Sequence, residues 1–175
     1  MQPSGGRPAQ SGLVASVSAS SPAELPYVPV PTSADALCRR RPDHNHRFSP
    51  EQAKDLAERA AAHFNDVGPD KAIADFNDAA GCYVDRELFV VVYDPDRKIK
   101  GSYGIPALRD KDATLLKAVE GKAFGRDIIA LAKSQGSGWV EYRMTNPATH
   151  KVGLKKSWDI GLSGAYILFV GAFGG

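Results

Sequence analysis

The sequence predicts an α+β domain over residues 47–175, a five-stranded antiparallel sheet with helices packed on its faces. Three observations carry that prediction. A capped amphipathic helix opens the ordered part. Leu88–Tyr93 (LFVVVY) is an unbroken apolar run of β-branched and aromatic residues, joined by a short turn to a second strand, so the two must pair antiparallel. A helix pattern and three more strand patterns then follow, giving the order helix, helix, strand, strand, helix, strand, strand, strand.

Residues 1–46 read as a disordered leader. They hold seven of the twelve prolines among many Ser, Ala and Gly, and no helical or strand period persists. Such a segment cannot bury enough apolar surface to offset its ordering entropy. The first helix starts at Ser49, an N-cap, with Pro50 at the first helical position, Gln52 completing a capping box and Phe48 at the staple position. Ala53, Leu56, Ala57, Ala60, Ala61, Phe64 and Val67 recur at helical spacing to about residue 66. Gly68-Pro69 ends this helix and begins a short second one, with Ala72, Ile73 and Phe76 inward.

Residues 77–86 read as irregular, and Leu88–Tyr93 as a strand buried on both faces. Asp94-Pro95-Asp96 is turn chemistry, and Lys98–Gly104 is the returning strand. Residues 105–121 read as a loop with a helical turn at 114–119. Phe124, Ile128, Leu131 and Ala132 mark a helix over 123–134, stopped by Gly136. Trp139–Met144, Val152–Ile160 and Tyr166–Phe173 are the remaining strands. In the middle one, Val152, Leu154, Lys156, Trp158 and Ile160 share one face, and Gly153, Lys155, Ser157 and Asp159 the other.

Composition narrows the function. A net charge of +2 gives no argument for nucleic acid or an anionic membrane surface. No run of 18 apolar residues forms a membrane span, and Gly12–Val17 is too short and serine-diluted for a signal peptide, so the expected location is cytoplasmic. A misassigned start, or a fragment, would make it periplasmic. Cys38 and Cys82 read as unpaired, which fits a reducing compartment.

Catalytic chemistry is not visible. His44 and His46 beside Asp43 lack further ligands for a metal, and His63 and His150 are scattered. No nucleophile–base pair, Walker loop or dinucleotide fingerprint occurs, so the chain reads as neither an enzyme nor a cofactor protein. Tyr93, Tyr103, Trp139, Tyr142 and Trp158 all fall on predicted strands, where each can wall a pocket or fill a core. Lys155, within an apolar strand, either reaches solvent or meets an anionic ligand. Strict alternation puts Lys155 and Trp158 on opposite faces unless a bulge intervenes.

Several of these segments resemble the bacterial single-Cache sensory domains. The resemblance rests on Phe89–Asp94, on Gly138-Trp139-Val140-Glu141-Tyr142, and on Thr145–Lys151 followed by Lys155-Lys156-Ser157-Trp158. Family members commonly show Gly-Trp-Val-x-Tyr, Asn-Pro-x-Thr-x-Lys and Lys-x-Ser-Tyr. The resemblance covers residues 50–173 and implies a PAS-like sheet preceded by a long N-terminal helix. It also implies sensing of a small molecule, often a short carboxylate, for chemotaxis or signal transduction. Lys155 matches the family lysine, Trp158 stands where tyrosine is usual, and Ser102 and Tyr103 lie where many members have histidine. The expected ligand-binding residues are therefore Phe89, Tyr103, Trp139, Tyr142, Lys155 and Trp158. The expected partners are a small-molecule ligand, a second copy through the N-terminal helix, and a separate kinase or chemoreceptor. The competing expectation is a protein-interaction module with a filled pocket.

Overall fold

The computed structural model describes residues 49–85, 87–146 and 149–173. The proposed leader lies outside the described residues, and with it the arginine run, Cys38, His44 and His46. The first helix, α1 (Pro50–Val67), has the capping box read from its sequence. The Gln52 N–H donates to Ser49 Oγ at 3.3 Å, and the Ser49 N–H donates to Gln52 Oε1 at 2.9 Å. Two otherwise orphaned N–H groups are thereby satisfied, which is worth about 1 kcal/mol. Gly68, at φ 83°, redirects the chain into α2 (Pro69–Phe76).

The sheet has six antiparallel strands, one more than predicted. The extra strand, β1 (Val84–Asp85), pairs two residues with Phe89 and Leu88. So short a pairing leaves no periodicity to recognise. β2 (Leu88–Tyr93) is paired on one edge with β1 and with β3 (Ile99–Ser102), and on the other with β6 (Ile167–Phe173). β5 (Val152–Gly161) lies between β6 and β4 (Ser137–Thr145). The last strand in sequence is thus central in space. The predicted helical turn at 114–119 is replaced by two short 3₁₀ turns, Pro106–Leu108 and Ala113–Leu115. The third helix, α3 (Phe124–Gln135), ends at Gly136 with φ 79°.

Two cores result, one on each face of the sheet. Ala53, Leu56, Ala60 and Phe64 of α1 pack with Phe76 of α2 on Val90, Val92, Leu168 and Val170. On the opposite face, Phe124, Ile128 and Ile129 of α3 pack on Tyr93, Val140, Tyr142, Ile167 and Phe169. Each fully buried aliphatic or aromatic side chain contributes about 1.5–3 kcal/mol. Cys82, expected to be unpaired, is disulfide-bonded. The chain's other cysteine, Cys38, lies outside the described residues.

Candidate functional site

The α3 face of the sheet carries an unusual polar row. On β5, Lys155, Ser157 and Asp159 alternate with Lys156, Trp158 and Ile160, so the first three point to one side. All three are buried, at 7%, 0% and 0% exposure. Their ladder partners place them against Tyr142 and Val140 of β4 and against Phe173, Gly171 and Phe169 of β6. Phe89, Val91 and Tyr93 continue the same face on β2.

Lys155 sends its stem across Gly171. A Cβ at position 171 would stand 2.6 Å from Lys155 Cε, so only glycine leaves that path open. The ammonium ends 5.0 Å from the Phe173 ring centroid and 5.3 Å from that of Phe89. Among the described residues, no carboxylate or carbonyl is bonded to it. Burial lowers its pKa from 10.5 to about 8, and the charge of Glu87 offsets part of that. The Phe89 ring is itself seated on Gly104, where a Cβ would come within 2.2 Å of Cε1.

Four residues along β5, a second polar group forms around Asp159. Apart from the Ser157 hydroxyl, no described group stands close enough to the Asp159 carboxyl to act as its hydrogen-bond partner, and the buried Tyr93 hydroxyl has none. Burial raises the Asp159 pKa from 3.8 to about 8, with the Ser157 hydroxyl pulling the other way. Ser157 Oγ itself donates to the Val140 carbonyl at 3.4 Å. Burial also raises Tyr93 well above 10.0, and the neighbouring Tyr142 and Asp159 raise it further. Aromatic rings enclose the group. Tyr142 stacks on Phe124 at 4.0 Å and 7°, and Tyr93 meets Phe169 edge-on at 5.1 Å.

Of the residues expected from sequence, the structure brings Phe89, Tyr142 and Lys155 to this face. Tyr103 is half-buried and follows Ser102, the last residue of β3. Trp139 and Trp158 lie opposite one another in the β4–β5 ladder, on the other face. They meet edge-on at 5.0 Å, and the Lys54 ammonium sits 4.6 Å over the Trp158 ring. No bulge interrupts β5, so strict alternation keeps Trp158 away from Lys155. Ser157, Asp159 and Phe173 were not anticipated. The spacing that places Ser157 and Asp159 beside Lys155 is visible in the sequence, but their burial is not.

Other candidates resolve as structure. His63 Nε2 pairs with Asp75 Oδ2 at 2.9 Å, and its ring stacks on Tyr83 at 5.0 Å. Asp94 accepts the Lys98 N–H at 2.8 Å within its turn. Among the described residues no group of His, Cys, Asp and Glu could hold a metal ion. No described helix is long and apolar enough to cross a membrane.

No protein-family model matches the chain, and no curated protein matches it in sequence. Solved structures do resemble it. A methyl-accepting chemotaxis protein from Vibrio parahaemolyticus RIMD 2210633 superposes with TM-score 0.58 at 15% identity, over 70% of this chain and 86% of that one. The periplasmic sensor domain of a chemotaxis protein gives 0.54 at 17% identity, over 80% and 92%. A Cache chemosensory domain that recognises carboxylic acids gives 0.52 at 18%, over 70% and 86%. The expected cytoplasmic location is contradicted by this likeness: one of the structures that share the fold is a periplasmic sensor domain. The disulfide at Cys82 agrees with an oxidising compartment. The chain has the fold of the bacterial Cache sensory domains.

Proposed function

We propose that this is a non-catalytic sensory domain that binds a short organic acid on the α3 face of its sheet. The observation that carries this reading is the buried Lys155 ammonium, held between the Phe89 and Phe173 rings with no carboxylate bonded to it. Burying a cation without an anion is costly, and a ligand carboxylate removes that cost. Phe89, Phe173 and Tyr142 supply apolar walls. The same fold in a domain that recognises carboxylic acids supports the reading. A separate kinase or chemoreceptor would read the bound state. A thermal-shift screen of short carboxylates tests the assignment: the best of them should raise the melting temperature, and Lys155→Ala should abolish that rise. An unchanged rise in the variant removes Lys155 from the site.

A second reading, a protein-interaction module, has one observation in its favour. Trp139, Val152 and Leu154 are exposed on the hairpin face that carries Trp158. A stable oligomer with no metabolite response would favour it. Pairing of two copies through α1 would have to use the outward side of the helix, because Leu56, Ala60 and Phe64 are spent on this chain's own sheet.

A further inference from the structure

We propose that the free end of the β4–β5 hairpin docks on an anionic lipid surface. It does so through the face of the sheet opposite Lys155, so the carboxylate site plays no part. The starting point is where the exposed apolar side chains fall. Leu115, Val119, Trp139, Val152 and Leu154 are the exposed large hydrophobics among the described residues. Strand alternation and the ladder register put Trp139, Val152 and Leu154 on one face of the hairpin. Val119 borders the outer edge of β4, where its N–H donates to the Arg143 carbonyl at 3.0 Å. Apolar residues exposed singly need no explanation, but four of the five gathered at one hairpin do.

The hairpin end is a projecting tip. β6 pairs with β5 from Lys155 onward, so among the described residues Val152–Leu154 and their partners Arg143–Thr145 form a two-stranded ribbon beyond the rest of the sheet. α1 does not cover it. Lys54, one turn into that helix, already lies over Trp158, and the core beneath α1 takes in Trp158 and Ile160 of β5 but neither Leu154 nor Val152. A convex apolar tip gives a protein partner no pocket for an anchoring side chain. It does suit the boundary between lipid headgroups and acyl chains, where tryptophan is also favoured.

Charge selects an anionic surface. Residues 49–175 hold seventeen basic and seventeen acidic side chains, and this balance hides a local excess. Arg143 and Lys151 are exposed at the hairpin end, and among the described residues neither forms an ion pair. The nearby acids are largely neutralised. Glu141 pairs with Lys156 at 2.5 Å, and Glu51, at the start of α1, feels the charge of the same lysine. In the loop along β4, Glu120 is outnumbered by Lys117 and Lys122, the latter 3.5 Å from Asp127. A face with surplus positive charge repels a second copy of itself and attracts anionic headgroups.

The test is co-sedimentation of the full chain with vesicles of phosphatidylcholine and phosphatidylglycerol in equal parts, and with vesicles of phosphatidylcholine alone. The anionic vesicles should bind at least about tenfold more tightly. Raising NaCl from about 0.1 M to about 1 M, which cuts the Debye length from about 10 Å to about 3 Å, should remove that preference. Arg143→Gln combined with Lys151→Gln should weaken binding by about fivefold per charge. Val152→Ser combined with Leu154→Ser should weaken it by at least about tenfold. All four side chains are exposed, so both variants should keep the parent's circular dichroism and its carboxylate-induced thermal shift. Equal binding to the two vesicles overturns the charge argument. Anionic binding that both variants retain overturns the hairpin as the contact and moves it elsewhere, to the run Arg39-Arg40-Arg41 for example. Absence of vesicle binding overturns the proposal outright, and a stable oligomer that these variants dissociate would assign the hairpin to a second copy instead. None of these outcomes bears on the Lys155 site.

Discussion

Replacing Asp159 by asparagine probes the site's energetics with no ligand present. Burial raises this carboxyl from 3.8 to about 8. The folded chain therefore keeps a proton over a range in which the unfolded chain has lost it. Stability from this group is greatest below the ordinary carboxylate value, falls as pH rises, and levels off above about 8. The slope is about 1.4 kcal/mol per pH unit, which accumulates to something on the order of 6 kcal/mol across the window. The other titratable groups facing it stay out of the way. Tyr93 and Tyr142 are held neutral by burial, and Lys155 begins to lose its proton only near 8. Asparagine has nearly the same shape and cannot ionise. Urea unfolding of both proteins at pH 5, 6, 7 and 8 should show the variant gaining on the parent by about 1.4 kcal/mol per unit, ending as the more stable of the two. Curves that run parallel would mean that the carboxyl is solvated or paired in solution, and the reasoning from its burial would fail.

Other substitutions test the neighbouring pieces. Lys155→Met should stabilise the domain at pH 7 by on the order of 3 kcal/mol, because burial lowers the lysine from 10.5 to about 8. That gain is constant below about 8 and disappears as pH rises towards 10.5, which the same urea series extended to pH 10 would reveal. Gly171→Ala places a Cβ against the movable end of the Lys155 stem, so it should cost less than about 1 kcal/mol yet remove the carboxylate-induced thermal shift. Gly125→Ala is different in kind. Its Cβ would fall 1.9 Å from the Ala113 carbonyl oxygen, which is backbone, and a loss of about 1–3 kcal/mol in urea unfolding should follow.

The elements of this domain were legible because their signals are local. A capping box fixes where α1 starts, and alternation fixes which residues of β5 share a face. That same alternation already separated Lys155 from Trp158, and the uninterrupted ladder bears it out. Burial is a different matter. Lys155, Ser157 and Asp159 form the polar side of their strand, which in sequence resembles a solvated face. They are buried because β6, the last strand, inserts between β2 and β5 and makes β5 an interior strand, while α3 closes over the side that α1 leaves open. The β2–β6 pairings join residues far apart in the chain, such as Val90 with Val170, and no local pattern encodes them. The sequence by itself determined the helices, most of the strands and the two faces of β5. Only the tertiary structure decided that the face carrying Lys155, Ser157 and Asp159 is interior, and so that one strand buries an amine and a carboxyl on the same side.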